Sequence, residues 1–366
     1  MSKWKTVKLG EVCSPKQWKT ISTDKLFNKG YPVYGANGII GYFDNYNHSI
    51  ETILITCRGA SCGTINICKP FSYINGNAMA LDDLDLKMDI KFLSYFLSNR
   101  GFADVISGSA QPQIVRSTLI NIDIIKPPLE EQKRIADILD KASNLIELRK
   151  QQLEKMDLLI KSKFIDMFGD PVTNPKGWEK GTIRDVVSDV KYGTSAPSVE
   201  NGKYIYLRMN NITYDGHLDL SSIKYINVSD NEVEKYVVRK GDILFNRTNS
   251  KELVGKTCVF KEDIDMIIAG YIIRVRVNEK VNAEYLSAVL NSKYGKNTLF
   301  DMCKAIVGQA NINAQELQNI KIIIPPIELQ NQFAEFVEKV EKQKAVMQKS
   351  LEKMEMNHKA LMQEYF

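Results

Sequence analysis

Two stretches of the chain carry apolar side chains at spacings that alternate between four and three residues. The first seam runs Ile135, Leu139, Ala142, Ile146, Arg149, Leu153, Met156, Ile160, Lys163, Met167. The second runs Phe333, Val337, Val340, Lys344, Met347, Leu351, Met354, His358, Leu361, Tyr365. A seam of this period, kept over more than four heptads, predicts a helix packed on another helix in a left-handed coiled coil. Each stretch opens on a proline pair, Pro127-Pro128 and Pro325-Pro326. Proline suits a helix start because its missing N–H has no intrahelical partner there. Glutamates in the first turn suit the positive end of the helix dipole. A helix of roughly 40 residues is about 60 Å long. The polar seam residues Arg149, Lys163, Lys344 and His358 read as stem-buried and tip-exposed, or as devices that select register.

The two stretches are copies. Pro127-Pro128-Leu129-Glu130-Glu131-Gln132 recurs as Pro325-Pro326-Ile327-Glu328-Leu329-Gln330, and Leu153-Glu154-Lys155-Met156 as Leu351-Glu352-Lys353-Met354. Both pairs share an offset of 198 residues. Ahead of the helices, Trp4, Leu9, Glu11, Val12 and Ser14 match Trp178, Ile183, Asp185, Val186 and Ser188 at an offset of 174, so the second globular part is 24 residues longer. The order is globular part, helix, globular part, helix. The repeat is circularly closed: the residue that would follow the second helix matches Trp4. An antiparallel helix pair satisfies this closure and brings the last helix back to the first globular part.

The globular parts read as short strands and turns. Tyr31–Tyr42 is turn-rich and aromatic, Ile53-Leu54-Ile55-Thr56 is a strand, and Arg58-Gly59-Ala60-Ser61-Cys62-Gly63 is a loop. In the second part Gly241-Asp242-Ile243-Leu244-Phe245 is a strand, followed by Asn246-Arg247-Thr248-Asn249-Ser250-Lys251 and closed by Gly255-Lys256. Tyr271–Val277 alternates in its latter half, and helical stretches are expected at 90–99 and 282–291. The expectation is a mixed, mainly antiparallel α+β module in each half. Arg, Asn, Ser and Thr on such loops are residues that read base edges, although Asn and Gly also simply make turns.

Composition narrows the class. The net charge is +5; the helices, residues 129–168 and 327–366, sum to −1, so the globular parts and their linkers carry +6. A positive excess there is where a nucleic-acid surface belongs. The six cysteines (13, 57, 62, 68, 258, 303) show no framework or metal spacing and read as reduced cytosolic thiols. No apolar run is long enough for a membrane span, and Met1-Ser2-Lys3-Trp4-Lys5 lacks a signal-peptide core. Ser250–Thr257 nearly matches a phosphate-binding loop, but a strand follows where a helix is required. Glu131-Gln132-Lys133 resembles a nuclease motif but sits in a helix's first turn, and His48, His217 and His358 make no triad. No glycine-rich cofactor loop or methyltransferase motif appears.

Together the Pro-Pro-x-Glu-x-Gln helix starts, the Phe168-Gly169-Asp170-Pro171 exit, the repeated Trp-containing entry and Gly108-Ser109-Ala110-Gln111-Pro112-Gln113-Ile114 resemble the specificity subunits of bacterial type I restriction-modification systems. The second copy of that last turn, Val307-Gly308-Gln309-Ala310-Asn311-Ile312, keeps the glutamine and isoleucine but not the Gly-Ser. The resemblance implies two target-recognition domains, residues 1–126 and 169–324, joined by two long antiparallel coiled-coil helices, 127–168 and 325–366, in a pseudo-two-fold, circularly closed α+β fold. It implies a cytoplasmic, non-catalytic subunit that recognises a bipartite site in double-stranded DNA. Its expected partners are two modification (methyltransferase) subunits, with restriction or translocase subunits beyond them. S-adenosylmethionine and ATP are then expected on those partners, with no cofactor, metal or catalytic residue in this chain. The DNA-binding candidates are Tyr34, Asn37, Arg58 and Ser61 in the first part and Arg208, Asn210, Arg247, Thr248, Asn249 and Lys251 in the second. Ile138, Leu145 and Leu159 form an apolar column beside the first seam and are the candidates for partner docking. Two other classes stay open beside this one. A self-sufficient DNA enzyme with a diverged active site is disfavoured by the lack of catalytic constellations. A coiled-coil scaffold for proteins alone is disfavoured by the charge partition.

Overall fold

The computed structural model describes residues 4–36, 38–108, 110–306 and 309–366, and for 304–306 and 309 the backbone alone. Ser109, Val307 and Gly308 of the matched turns lie outside the described residues. The long helices run Leu129–Phe168 and Ile327–Tyr365. Every predicted seam position on both is buried or half-buried, whereas flanking residues such as Lys133, Glu154 and Glu352 are exposed. The chain divides into two compact units, Met1–Lys150 with Lys349–Phe366, and Gln151–Gln348. Each unit contains a stretch of both helices, and within each the stretches pack antiparallel. In the first unit His358 Nε2 lies 3.1 Å from Ser143 Oγ, and Lys150 Nζ lies 2.9 Å from Glu355. In the second the ring centroids of Phe164 and Phe333 are 5.8 Å apart, and Lys344 pairs with Asp157. The Lys344 side chain is only 14% exposed and also faces Glu341 at 3.4 Å. Among the polar seam residues, Lys344 therefore acts as a register pin rather than reaching for water.

The repeated glutamine has a physical reason. Gln132 is fully buried, and its amide donates to the carbonyls of Pro127 (2.8 Å) and Lys87 (3.0 Å) while its oxygen accepts from the Asp89 N–H (2.8 Å). Gln330 repeats this on Pro325 (2.6 Å), Lys280 (3.2 Å) and Asn282 N–H (2.9 Å). Asp89 and Asn282 are the N-caps of helices Ile90–Arg100 and Ala283–Asn291. One side chain thus ties the start of each long helix to the start of a short one and satisfies three backbone groups that no helix hydrogen bond reaches. Gln132→Leu should destabilise the first unit, and Gln330→Leu the second, each by on the order of 2–3 kcal/mol from buried unpaired groups. Denaturant unfolding followed separately for the two units checks this, and an unchanged midpoint would refute the clip.

The two units share a sheet plan. In the first, strands Ser14–Gln17, Ala78–Asp82, Thr52–Thr56 and Ile65–Cys68 lie side by side in that order, all antiparallel. In the second, Val187–Tyr192, Ile272–Val277, Ile243–Asn246 and Thr257–Val259 repeat the arrangement. A second, smaller sheet is built on Tyr31–Gly35 in one unit and Tyr204–Leu207 in the other, each with one antiparallel and one parallel neighbour. The hairpin after Tyr31–Gly35 turns directly into Gly38–Phe43, but the matching strands of the second unit are separated by the long loop 208–223. Helix Asp230–Tyr236 and strand Val237–Val238 are also inserted there, which accounts for the larger second part. The front match holds in detail. Leu9–Glu11 and Ile183–Val186 are both short 3-10 turns, closed by the Lys8 N–H on Glu11 (2.8 Å) and the Thr182 N–H on Asp185 (2.7 Å). At the helix ends Phe168 packs on Tyr285 (4.7 Å) and Phe366 on Phe92 (5.4 Å), 198 residues apart and doing the same work. Gly169 then takes φ +78°, a left-handed conformation that stops the helix.

Candidate nucleic-acid interface

In the first unit, strand Thr52–Thr56 runs into the Arg58 loop. The Thr56 hydroxyl donates to the carbonyl of Ala36, which joins this loop to the tip of the Tyr31–Phe43 hairpin. The Gly59 N–H donates to Pro112 (3.0 Å) and the Ile114 N–H to Cys57 (3.0 Å), with Arg58 bridged to Gln113. Arg58 is exposed and Ser61 half-buried at this end. Tyr34 is not at the surface. It is 6% exposed, packed with Leu54, Ile74 and Ala80, and its hydroxyl accepts the Lys69 N–H. Asn37 lies outside the described residues. The structure adds two neighbours that the sequence reading missed, Ile39 and Ile40. Both are exposed on the outer strand of the hairpin, Ile39 directly opposite the buried Tyr34.

In the second unit the strand ends that carry Arg208 and Arg247 meet at residues 269–271, where the Ala269 N–H donates to Leu207 (2.8 Å) and the Arg247 N–H to Tyr271 (2.9 Å), with Asn210, Asn249 and Lys251 in the same two loops. The Arg247 guanidinium stacks over Tyr192 at 4.8 Å, and its backbone is held by Tyr271 and Ile312 (both 2.9 Å). Lys251 lies over Phe300 at 4.0 Å. Arg208 donates to the carbonyl of Ser222 (3.1 Å), and Asn210 is exposed. The Nε atoms of Arg208 and Arg247 are buried and have no partner among the described residues. Thr248 is buried, and its hydroxyl donates to Asn311 (3.0 Å), so it serves the loop rather than a ligand. The aromatic neighbours Tyr192 and Tyr271, both well exposed, were not singled out from sequence.

Register corrects one inference. Arg58 and Arg247 look like the same residue in two copies, but they are not. The Cys57 N–H bonds the Asn77 carbonyl next to its strand, as the Arg247 N–H bonds that of Tyr271. Arg58 pairs with Gln113 where Thr248 pairs with Asn311. Arg247 therefore corresponds to Cys57, and Arg58 to Thr248. A one-residue slip on a strand reverses the face a side chain takes, so each arginine stands on its own merits.

The electrostatics single out two further lysines of the second unit. Lys296 is pushed down to about 8, by burial first and then by the charges of Lys161 and Lys256, with Asp215 opposing. Lys256, 8% exposed, is also lowered by burial. Asp157, His217 and Glu341 form the one grouping of metal-ligand type found among the described residues, and the sequence reading did not foresee it. The Lys344 ammonium stands within it, 3.3 Å from His217 Nε2 and paired with both carboxylates. It is an ion-pair node that fastens loop 213–217 to the helices of that unit. Cys13 and Cys258 are pushed up to about 12 by burial, as inert core thiols are. No helix among the described residues is long and apolar enough to cross a membrane.

A duplicated α+β unit with arginine, asparagine and lysine on its loop ends defines a class, and comparison with known proteins gives it a family. The chain belongs to the family described as "Type I restriction modification DNA specificity domain", which matches residues 1–157 and again 175–356. It is similar to the EcoKI specificity subunit of Escherichia coli K12, 27% identical over 239 residues, 61% of this chain and 50% of that one. It also resembles the MjaVIII specificity subunit of Methanocaldococcus jannaschii, 24% identical over 98% of this chain and 91% of that one. The chain spans about half the length of EcoKI and of the putative MjaX specificity subunit of M. jannaschii, and nearly all of MjaVIII. Its fold is like that of the type I restriction-modification S subunit from M. genitalium, with a TM-score of 0.63, 16% identity, and 100% and 96% of the two chains covered.

Proposed function

We propose that this chain reads a two-part DNA sequence with an unread spacer, and that it does so as the specificity subunit of a type I restriction-modification complex. The observation that supports this best is the circular repeat: two units on one plan, with different side chains on equivalent loop ends. Residues 1–126 form one reader and 169–324 the other, with helices 127–168 and 325–366 as the spacer. The readers act through groove contacts, Arg58 in one and Arg208, Asn210, Arg247, Asn249 and Lys251 in the other, with guanine and adenine as the natural partners of arginine and asparagine. Methyl transfer, with S-adenosylmethionine, belongs to two modification subunits docked on the helices, and ATP-driven steps to restriction subunits. Two readers on the same groove face lie on the order of one helical turn apart, about 34–36 Å. Methylome sequencing of a host that expresses this chain with its modification subunit tests the reading. A gapped motif is expected, and exchange of residues 1–126 for those of a relative should change one half alone. A continuous motif, or a change in both halves, would overturn the proposal.

A further inference from the structure

Lys256 and Lys296 hold charges that the fold does not neutralise. Lys256 Nζ donates to the carbonyl of Met209 at 2.8 Å, and Lys296 Nζ lies 3.3 Å from the carbonyl of Gly255 and 4.8 Å over the ring of Tyr214. These are neutral acceptors, and neither lysine has a carboxylate within ion-pair distance among the described residues. Lys296 reaches the carbonyl of the residue just before Lys256, so the two ammonium groups sit on one stretch of chain, and their partial burial removes the water that would screen their repulsion. The groups that face Lys296 come from three directions. Lys161 stands on the first long helix, Lys256 on the strand-edge loop, and Tyr214 and Asp215 on loop 213–217. Asp215 is the one opposing charge among the described residues, and its carboxylate lies 3.7 Å from His217 Nε2. Cations collected against their own repulsion mark a place where an anion is expected. The carbonyl that anchors Lys256 belongs to the residue between Arg208 and Asn210, so the cluster borders the proposed base-reading loop.

We propose that Lys296 and Lys256, with Lys161 of the first long helix, form a cradle for a backbone phosphate of the bound DNA strand. The proposal rests on the DNA-reading function above and adds to it a named phosphate contact. A phosphate here relieves the repulsion and restores the full charge of Lys296, so binding takes up a proton wherever the free lysine is partly neutral. Burial and the neighbouring lysines push Lys296 down to about 8, so near that pH uptake should be roughly half a proton per complex. At about pH 6.5 the lysine is already charged and uptake through it should vanish.

The test is isothermal titration of the complex of this chain and its modification subunits with the duplex that its methylome defines. It is run at about pH 8 in two amine or sulfonate buffers of different ionisation enthalpy. The wild-type heat should depend on the buffer. Lys296→Arg, whose charge is permanent, should bind within a few-fold of wild type yet lose the buffer-dependent share. Lys296→Met should lose both that share and affinity, with the salt slope of log K reduced by about one. Binding with equal heats in both buffers, or uptake that survives in Lys296→Arg, would overturn the cradle and leave the DNA reading standing. A wild-type complex that does not bind the duplex at all overturns both.

Discussion

Asp189→Ala should cost the second unit about 3–5 kcal/mol, the range for stripping the partner from a buried charge. Its partner, Arg274, is fully buried, donating to Asp189 at 2.6 Å and to the carbonyl of Val237 on the smaller sheet. The arginine sits in one of the two inner strands of the main sheet, opposite Leu244 and Lys191. Its Nε already lacks a partner among the described residues, so the guanidinium has no spare bonds to fall back on. Arg274→Met should cost less, because it removes the buried charge and leaves Asp189, 27% exposed, in reach of water. In the Arg274→Met background Asp189→Ala should then cost under about 1 kcal/mol, which a double-mutant cycle measures. Equal costs in both backgrounds would refute the coupling. The pH dependence follows. Burial raises the Asp189 carboxyl, but Arg274, then Lys191 and Arg276, more than offset this and hold it below its ordinary value. A depressed carboxylate stabilises the fold fully above about pH 4, and the contribution is lost as pH falls from there through the folded value. Asp189→Ala should therefore flatten the acid limb of the second unit's stability curve.

Leu145→Glu should abolish methylation by the assembled enzyme while leaving the chain folded. Leu145 is 54% exposed, so a charge there costs the monomer little. Leu159 is 45% exposed, Ile138 is half-buried, and Leu148, at 55%, lies on the same stripe although the sequence reading passed it over. An exposed apolar stripe on an otherwise charged helix is a surface for a partner, here proposed as a modification subunit. The residue 198 positions on from Leu145 is Gln343, already polar, which makes Gln343→Glu the matched control. Co-purification with two modification subunits at normal affinity in Leu145→Glu would remove the docking role. Unfolding of the variant would instead place Leu145 in the core.

The parts of this molecule set by periodicity were readable from sequence. The heptad seams follow from where apolar side chains recur and the antiparallel pairing from the closure of the repeat, and the short helices expected at 90–99 and 282–291 run Ile90–Arg100 and Ala283–Asn291. The strand after Lys256 in place of a helix was readable too, and it removes the phosphate-binding loop. What sequence could not supply was register between distant strands. The offset of Arg58 against Arg247 depends on which carbonyl their neighbours meet, Asn77 or Tyr271. Tyr34 and Thr248 have the chemistry of readers but are buried by elements that lie far along the chain. Lys296 was invisible for the opposite reason: a lone lysine in a short helix gains meaning only when Lys161 and Lys256 arrive beside it. The Arg-Val-Arg-Val alternation of the strand 272–277 was plain, but not that Arg274 faces a second sheet instead of water.

The discontinuous make-up of the first unit has a consequence for synthesis. The second unit is one unbroken segment, but the first closes its core with residues from 349 onward, among them Met362 and Phe366 on the face of Phe92 and Phe96. On the ribosome the order of completion is therefore the reverse of the order of translation. At about 5–20 residues per second, the N-terminal unit waits on the order of 10–40 s for its last strip of helix. During that interval Phe92, Phe96 and the seam residues Ile135 and Leu139 lack the part of their cover that Leu361, Met362, Tyr365 and Phe366 supply, and apolar surface left open in this way is what chaperones hold.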